Sequence, residues 1–286
     1  MPAVPPRLYV IPATRAPVAL VFRHGPSKWW MLAQWDLARD TLTPGAWFHG
    51  QLYPRRCDLS PDGRLLYYFA LKGGRGGWWM GARGVVAFSA VSKAPWLRAL
   101  AAWREIGTYT RGYHFVEGAD PAARPWDLGP PQHGDATPLR ARWGLARTSV
   151  EQLAVETRRG WSAHERCPPR DAHDMWDQKR RSVLVKARPH REGRLVVTDQ
   201  GYAPERPGAT EGVLPAYRWE IGRRAVELED AVWADWDARG RLLVATLSGR
   251  LQVRDVVSEE LAVVWEHDVG AYRVSPRAAP AEAQRW

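Results

Sequence analysis

Short apolar or alternating runs follow one another along almost the whole chain, and they limit its fold more than any other feature. "RLYVIP", "PVALVFRH", "WWMLAQWDL", "AWFHGQLY", "RLLYYFAL" and "GVVAFSAV" occupy the first third; "RSVLVKARP", "RLVVTDQ", "AYRWEI", "RLLVATL", "RLQVRDV" and "LAVVWEH" occupy the last. Each is shorter than an ordinary helix, rich in β-branched and aromatic residues, and bounded by Gly, Pro, Asp or Arg. This pattern predicts an all-β chain of roughly twenty strands. At 286 residues it has the length to bury a substantial core.

One turn is written twice. "CDLSPDGRLLYYFA" (57–70) returns as "ADWDARGRLLVATL" (234–247), which aligns Asp58 with Asp235, Gly63 with Gly240, and Leu65–Leu66 with Leu242–Leu243. Pro61 presets φ for a turn and Gly63 accepts positive φ, so each copy reads as strand, turn, strand. In the second copy Asp237, Ala238 and Arg239 replace the serine, proline and aspartate of the first.

These residues resemble the "D-x-S-P-D-G" turn of β-propeller proteins of the WD-repeat and TolB-like kind. The chain is also similar to an uncharacterised bacterial propeller family with tryptophan-rich blades. The resemblance covers 55–71 and 231–256 and is loose elsewhere. It implies one propeller domain over 1–286, because four-stranded blades packed in a ring hide most strand edges. Roughly twenty strands make five blades, at about 5–54, 55–118, 139–178, 179–230 and 231–275, followed by a tail at 276–286. Six blades or an incomplete ring are alternatives, and a two-sheet β-sandwich is the rival fold.

Two segments interrupt the strand pattern. "KAPWLRALAAWREI" (93–106) sets Trp96, Leu97, Leu100 and Trp103 at helical spacing after a proline, although its flanks are strand-like. Residues 118–140 hold five prolines and little apolar pattern, so a long loop is expected there.

Charge and cysteine content bound the function. The formal net charge is +10, which raises nucleic acid as a partner. Only five of the 41 basic residues are lysine, and the chain is also rich in Ala, Gly and Pro, so coding bias accounts for part of that basicity. Two cysteines make no disulfide framework. There is no leader-like apolar run at the start and no stretch of about eighteen apolar residues anywhere, so the expectation is a cytoplasmic protein without a membrane segment.

Candidate chemistry is sparse. "WSAHERCPPRDAHDMWD" gathers His164, Glu165, Cys167, His173, Asp174 and Asp177, but its spacing matches no zinc finger or metalloprotease, so no metal is expected. Cys167 has no base beside it in sequence to make it a nucleophile. "KGGRGGWWMG" (72–81) lacks the lysine and hydroxyl residue that follow the last glycine of a phosphate loop. No cofactor is therefore expected. Basic residues crowd 155–194, with Arg158, Arg159, Lys179, Arg180 and Arg181 as candidate contacts for an acidic protein or a phosphate backbone. Trp78 and Trp79, near Arg75 and Arg83, are candidate anchors if exposed. Trp29 and Trp30 form a second adjacent pair, with one ring expected on each face of a strand.

The reading that follows is a non-catalytic cytoplasmic scaffold that binds another protein through rim loops and its top face. The first alternative is a hydrolase or lyase whose polar groups converge at a channel mouth. The second is nucleic-acid binding through 155–194.

Overall fold

The computed structural model describes residues 4–25, 27–73, 85–108, 112–118, 120–148, 153–164, 182–202, 205–257 and 260–286. It is an all-β chain of several antiparallel sheets. The α-helices among the described residues are two short ones, Thr137–Arg142 and Ala154–Thr157. Two compact units divide the chain: Ile11–Ser149 with Arg273–Trp286, and Met1–Val10 with Val150–Tyr272. The first strand, Arg7–Pro12, spans the point of division.

In the unit built on Ile11–Ser149, the strands Val18–His24, Trp29–Asp36 and Thr41–His49 pair in succession, with Val18 opposite Asp36 and Trp29 opposite His49. A second sheet runs through Gln51–Leu52, Leu65–Gly73, Val85–Lys93, Ala101–Glu105 and His133–Gly134, and Asp58–Leu59 also pairs with Leu65–Gly73. Leu65 to Ala70 are buried without a break. That is why this strand reads as a continuous apolar run rather than an alternating one, since both of its faces are covered. Tyr113–Val116 and Gly144–Arg147 form a separate ribbon. Leu65, Tyr67, Trp103, Phe115 and Trp143 belong to one core cluster.

The helical spacing at 93–106 does not produce a helix. Ala101–Glu105 extends instead and pairs with Val85–Lys93, because Ala101, Ala102 and Trp103 fill buried sheet positions there. Between 118 and 140 the structure is mostly irregular. It contains one short 3-10 turn at Pro121–Ala123, the two-residue strand at His133–Gly134 and the start of the Thr137–Arg142 helix.

The other unit carries two meanders. Ser162–Ala163, Val183–Ala187, Arg194–Tyr202, Val213–Ile221 and Arg224–Glu227 pair in chain order, followed by a four-stranded sheet of Ala231–Trp236, Leu242–Thr246, Arg250–Val257 and Glu260–Asp268. Val213–Ile221 alternates strictly at its start, with Val213, Pro215, Tyr217 and Trp219 buried and the intervening residues partly exposed. Trp161, Leu195, Tyr217, Trp219, Trp236 and Leu242 share its core, which draws on both meanders.

Both copies of the repeated turn connect an antiparallel pair of strands. Gly63 has φ of 74° and Gly240 has φ of 76°. In each copy the glycine N–H donates to the carbonyl three residues earlier, Ser60 in one and Asp237 in the other, at 2.7 and 3.0 Å. The copies differ in closure by one residue. Ser60 N–H donates to Leu65 O and the Ser60 hydroxyl accepts from Leu65 N–H, so Leu59 pairs with Leu66. Asp237 N–H donates to Arg241 O, while its carboxylate accepts from the N–H groups of Arg239 and Arg241 and from Arg241 Nε, so Trp236 pairs with Leu242. In the first copy the Arg64 N–H goes to Asp62, two residues inside the turn, whereas its counterpart Arg241 N–H goes back to Asp237 at the end of the strand, and the second loop is one residue shorter.

Candidate functional site

Buried charge is concentrated around the second copy of the turn. Asp235 is 2% exposed, and its Oδ1 accepts from Lys186 Nζ at 2.6 Å and from Trp236 N–H at 2.7 Å. Burial raises the carboxyl above its ordinary value, and the Lys186 ammonium acts against that rise. Arg188, on the residue after the Val183–Ala187 strand, donates from Nε to Gly240 O at 2.6 Å and from Nη2 to Asp255 Oδ1 at 2.7 Å. Its guanidinium carbon lies 5.5 Å from the centre of the Trp236 ring. Lys186 and Arg188 thus tie the first meander to the turn and third strand of the second. These groups face each other rather than an open space, and they serve cohesion.

Asp58, the counterpart of Asp235, is buried too and has a different partner: its Oδ2 accepts the N–H of Phe115 at 2.9 Å. It fastens the Tyr113–Val116 strand beside Asp58–Leu59. At both aligned positions the carboxylate accepts a backbone N–H, that of Phe115 at Asp58 and that of Trp236 at Asp235.

The remaining sequence candidates fall as follows. Arg158 and Arg159 are half-buried at the end of the Ala154–Thr157 helix, and Arg159 Nη1 donates to Val155 O. The positive charge of Arg159 also favours the ionised form of Asp235, which gives it a part in the buried network. His164 closes the edge of the first meander by donating its N–H to Val183 O. Glu165, Cys167, His173, Asp174, Asp177, Lys179, Arg180 and Arg181 lie outside the described residues, as do Arg75, Trp78, Trp79 and Arg83. Among the described residues no group of three or more His, Cys, Asp or Glu side chains is placed to hold a metal. Cys57 is buried, and its thiol donates to Tyr53 O. Trp30 is buried and stacked on His24 at 4.1 Å, while Trp29 is half-buried against His49. The rings of that pair therefore serve packing.

A feature that local motifs did not indicate is a cavity of about 380 Å³ between the start of Val213–Ile221, the end of Arg224–Glu227 and the beginning of Ala231–Trp236. Pro207, Leu214, Pro215, Leu228, Val232 and Leu247 supply much of its apolar lining, and the exposed Arg206, Glu227, Glu229 and Asp230 supply charge. Its loop is held on both sides. Leu228 N–H donates to Tyr217 O, Ala231 N–H to Leu228 O, and Leu247 N–H to Asp230 O. Asp230 pairs with Arg254 at 2.8 Å and Glu227 approaches Arg218 at 3.7 Å, whereas Glu229 has no ion pair among the described residues. Three carboxylates in four positions, "ELED" at 227–230, were the available sequence signal in a chain of net charge +10.

No helix among the described residues is long and apolar enough to cross a membrane. No protein-family model, curated protein or solved structure matches the chain.

Proposed function

We propose that the chain is a cytoplasmic, non-catalytic β-propeller scaffold that binds another protein through the loops around the cavity at 206–247. The observation that carries this reading is the contrast within one unit. The buried Asp235 and Arg188 and the partly buried Lys186 are used in holding strands together, while the open concavity is apolar with exposed carboxylates. Apolar concavities with a few charged groups suit recognition, and the carboxylates here are lined up with no histidine, cysteine, serine or threonine among the described residues of the same cavity to act as their partner in catalysis. The two aligned turn aspartates, Asp58 and Asp235, are themselves buried and bonded to Phe115 N–H and to Lys186.

The propeller part of the proposal draws on two features. Each repeated turn joins two antiparallel strands, and the second copy joins the first and second strands of 231–268, a meander of four strands, the size of a blade. Five blades follow from the count of strand-like runs. Residence in the cytoplasm accords with a buried thiol at Cys57 and a core that needs no disulfide framework.

A photo-crosslinking amino acid in place of Leu247, which lines the cavity and is 41% exposed, tests the binding reading in cells. A light-dependent adduct with one protein is expected. Absence of any adduct, together with turnover of a small substrate by the purified chain, would support the hydrolase or lyase alternative instead.

A further inference from the structure

We propose that the partner adds a strand to the edge formed by Arg224–Glu227, and that this added segment places an aliphatic side chain in the adjoining cavity and a lysine or arginine against Glu229. The inference rests on the protein-binding reading above and specifies its partner. Arg224–Glu227 is the last strand of its sheet and pairs only with Val213–Ile221, leaving its other edge open among the described residues. All four of its residues are exposed. An open edge offers backbone N–H and C=O groups to an extended segment, and natural sheets often block such edges with proline or lysine. This edge has neither, and its protection against indiscriminate pairing is its length of four residues together with the charges of Arg224 and Glu227 at its two ends.

The edge leads directly into the cavity. Glu227 ends the strand and, with Leu228 and Glu229, lines the space. Backbone pairing would supply affinity without regard to sequence, and the cavity would select the side chain that enters it. The volume of about 380 Å³ and the leucine, proline and valine lining suit an aliphatic group. Glu229 is exposed and makes no ion pair among the described residues, unlike Glu227 and Asp230, so an incoming cation meets it without displacing an existing partner. A second copy of the chain is a poorer occupant. Four residues of self-pairing bury far less than the roughly 1,000 Å² that a specific interface needs.

Panning a random ten-residue peptide library displayed on phage against the full chain tests this. Enrichment of peptides with Val, Ile or Leu within two residues of Lys or Arg is expected. An enriched peptide, made synthetically, should slow amide exchange at 224–227, and Glu229→Lys should weaken it about tenfold. That side chain is exposed and has no ion pair, so the variant should keep its fold. No enrichment, enrichment of acidic peptides, protection confined to other residues, or unchanged affinity in Glu229→Lys would each overturn the inference. So would light scattering that shows copies pairing through this edge. A partner crosslinked at Leu247 without protection at 224–227 would sustain the binding function and end the added-strand proposal.

Discussion

Lys186 Nζ stands 2.6 Å from Asp235 Oδ1, and the aspartate side chain is only 3% exposed. The pair joins the Val183–Ala187 strand to the Ala231–Trp236 strand across 49 positions of sequence. Taking the aspartate out of water is unfavourable, and removing the lysine leaves its carboxylate stranded.

The pH dependence of that pair has a definite sign. Burial raises the folded Asp235 carboxyl above its ordinary value of 3.8, so the folded state holds this proton more tightly than the unfolded chain does. Its contribution to stability is therefore greatest below that value and falls as pH rises through the raised one. Lys186→Met removes the opposing cation and should cost about 3–5 kcal/mol at neutral pH, with a smaller loss near pH 4. Adding Asp235→Asn should recover part of it. Urea unfolding at both pH values checks this, and an equal loss at each would contradict it.

Gly240→Ala should destabilise more than Gly63→Ala, although both residues have the same backbone conformation. A Cβ at 240 would sit 2.7 Å from the Pro189 carbonyl oxygen, a backbone atom, whereas at 63 it would meet Val18 Cγ2 at 2.1 Å. Losses of about 1–3 kcal/mol are expected from the left-handed φ alone, with the clash added. Val18→Ala in the Gly63→Ala background should recover the part of the loss due to the clash and leave the part due to the left-handed φ. Thermal denaturation of the three variants measures this.

Arg188→Lys should be far from conservative. The guanidinium binds Gly240 O and Asp255 through different nitrogens and lies over Trp236, and a single ammonium cannot reproduce that fork. A loss of about 2 kcal/mol is expected, with coupling to Asp255→Asn of about 0.5–3 kcal/mol in a double-mutant cycle. Additive losses would remove Asp255 from the network.

Nucleic acid should bind weakly. If 155–194 met a phosphate backbone, neutralising Arg158, Arg159, Arg180 and Arg181 would flatten the salt slope by about one unit per lost contact. The expected affinity for DNA or RNA at physiological salt is weaker than about micromolar. Fluorescence anisotropy with the four-arginine variant checks it, and tight binding that the variant abolishes would restore the nucleic-acid reading.

Strand content was legible because short β-branched and aromatic runs leave little alternative. The positive φ at Gly63 and Gly240 was legible because the turn chemistry requires it. The one-residue difference in closure was not, since it turns on which carboxylate takes the arginine N–H, Asp62 for Arg64 and Asp237 for Arg241. The extended state of Ala101–Glu105 was legible from its strand-like flanks, and pairing with Val85–Lys93 overrides the helical spacing that competed with it. The role of Asp235 was hidden because its cation lies in a distant strand. The cavity was hidden because Leu214, Leu228 and Leu247 read as ordinary strand and loop residues until three separate segments come together.

The most direct test of the binding account compares two sets of charge changes in the same capture experiment. The partner crosslinked through Leu247 should be lost from a Leu247→Asp, Glu229→Lys variant and retained by an Arg158→Gln, Arg159→Gln variant that stays folded. Retention by the first and loss from the second would place recognition on the basic segment and contradict the account.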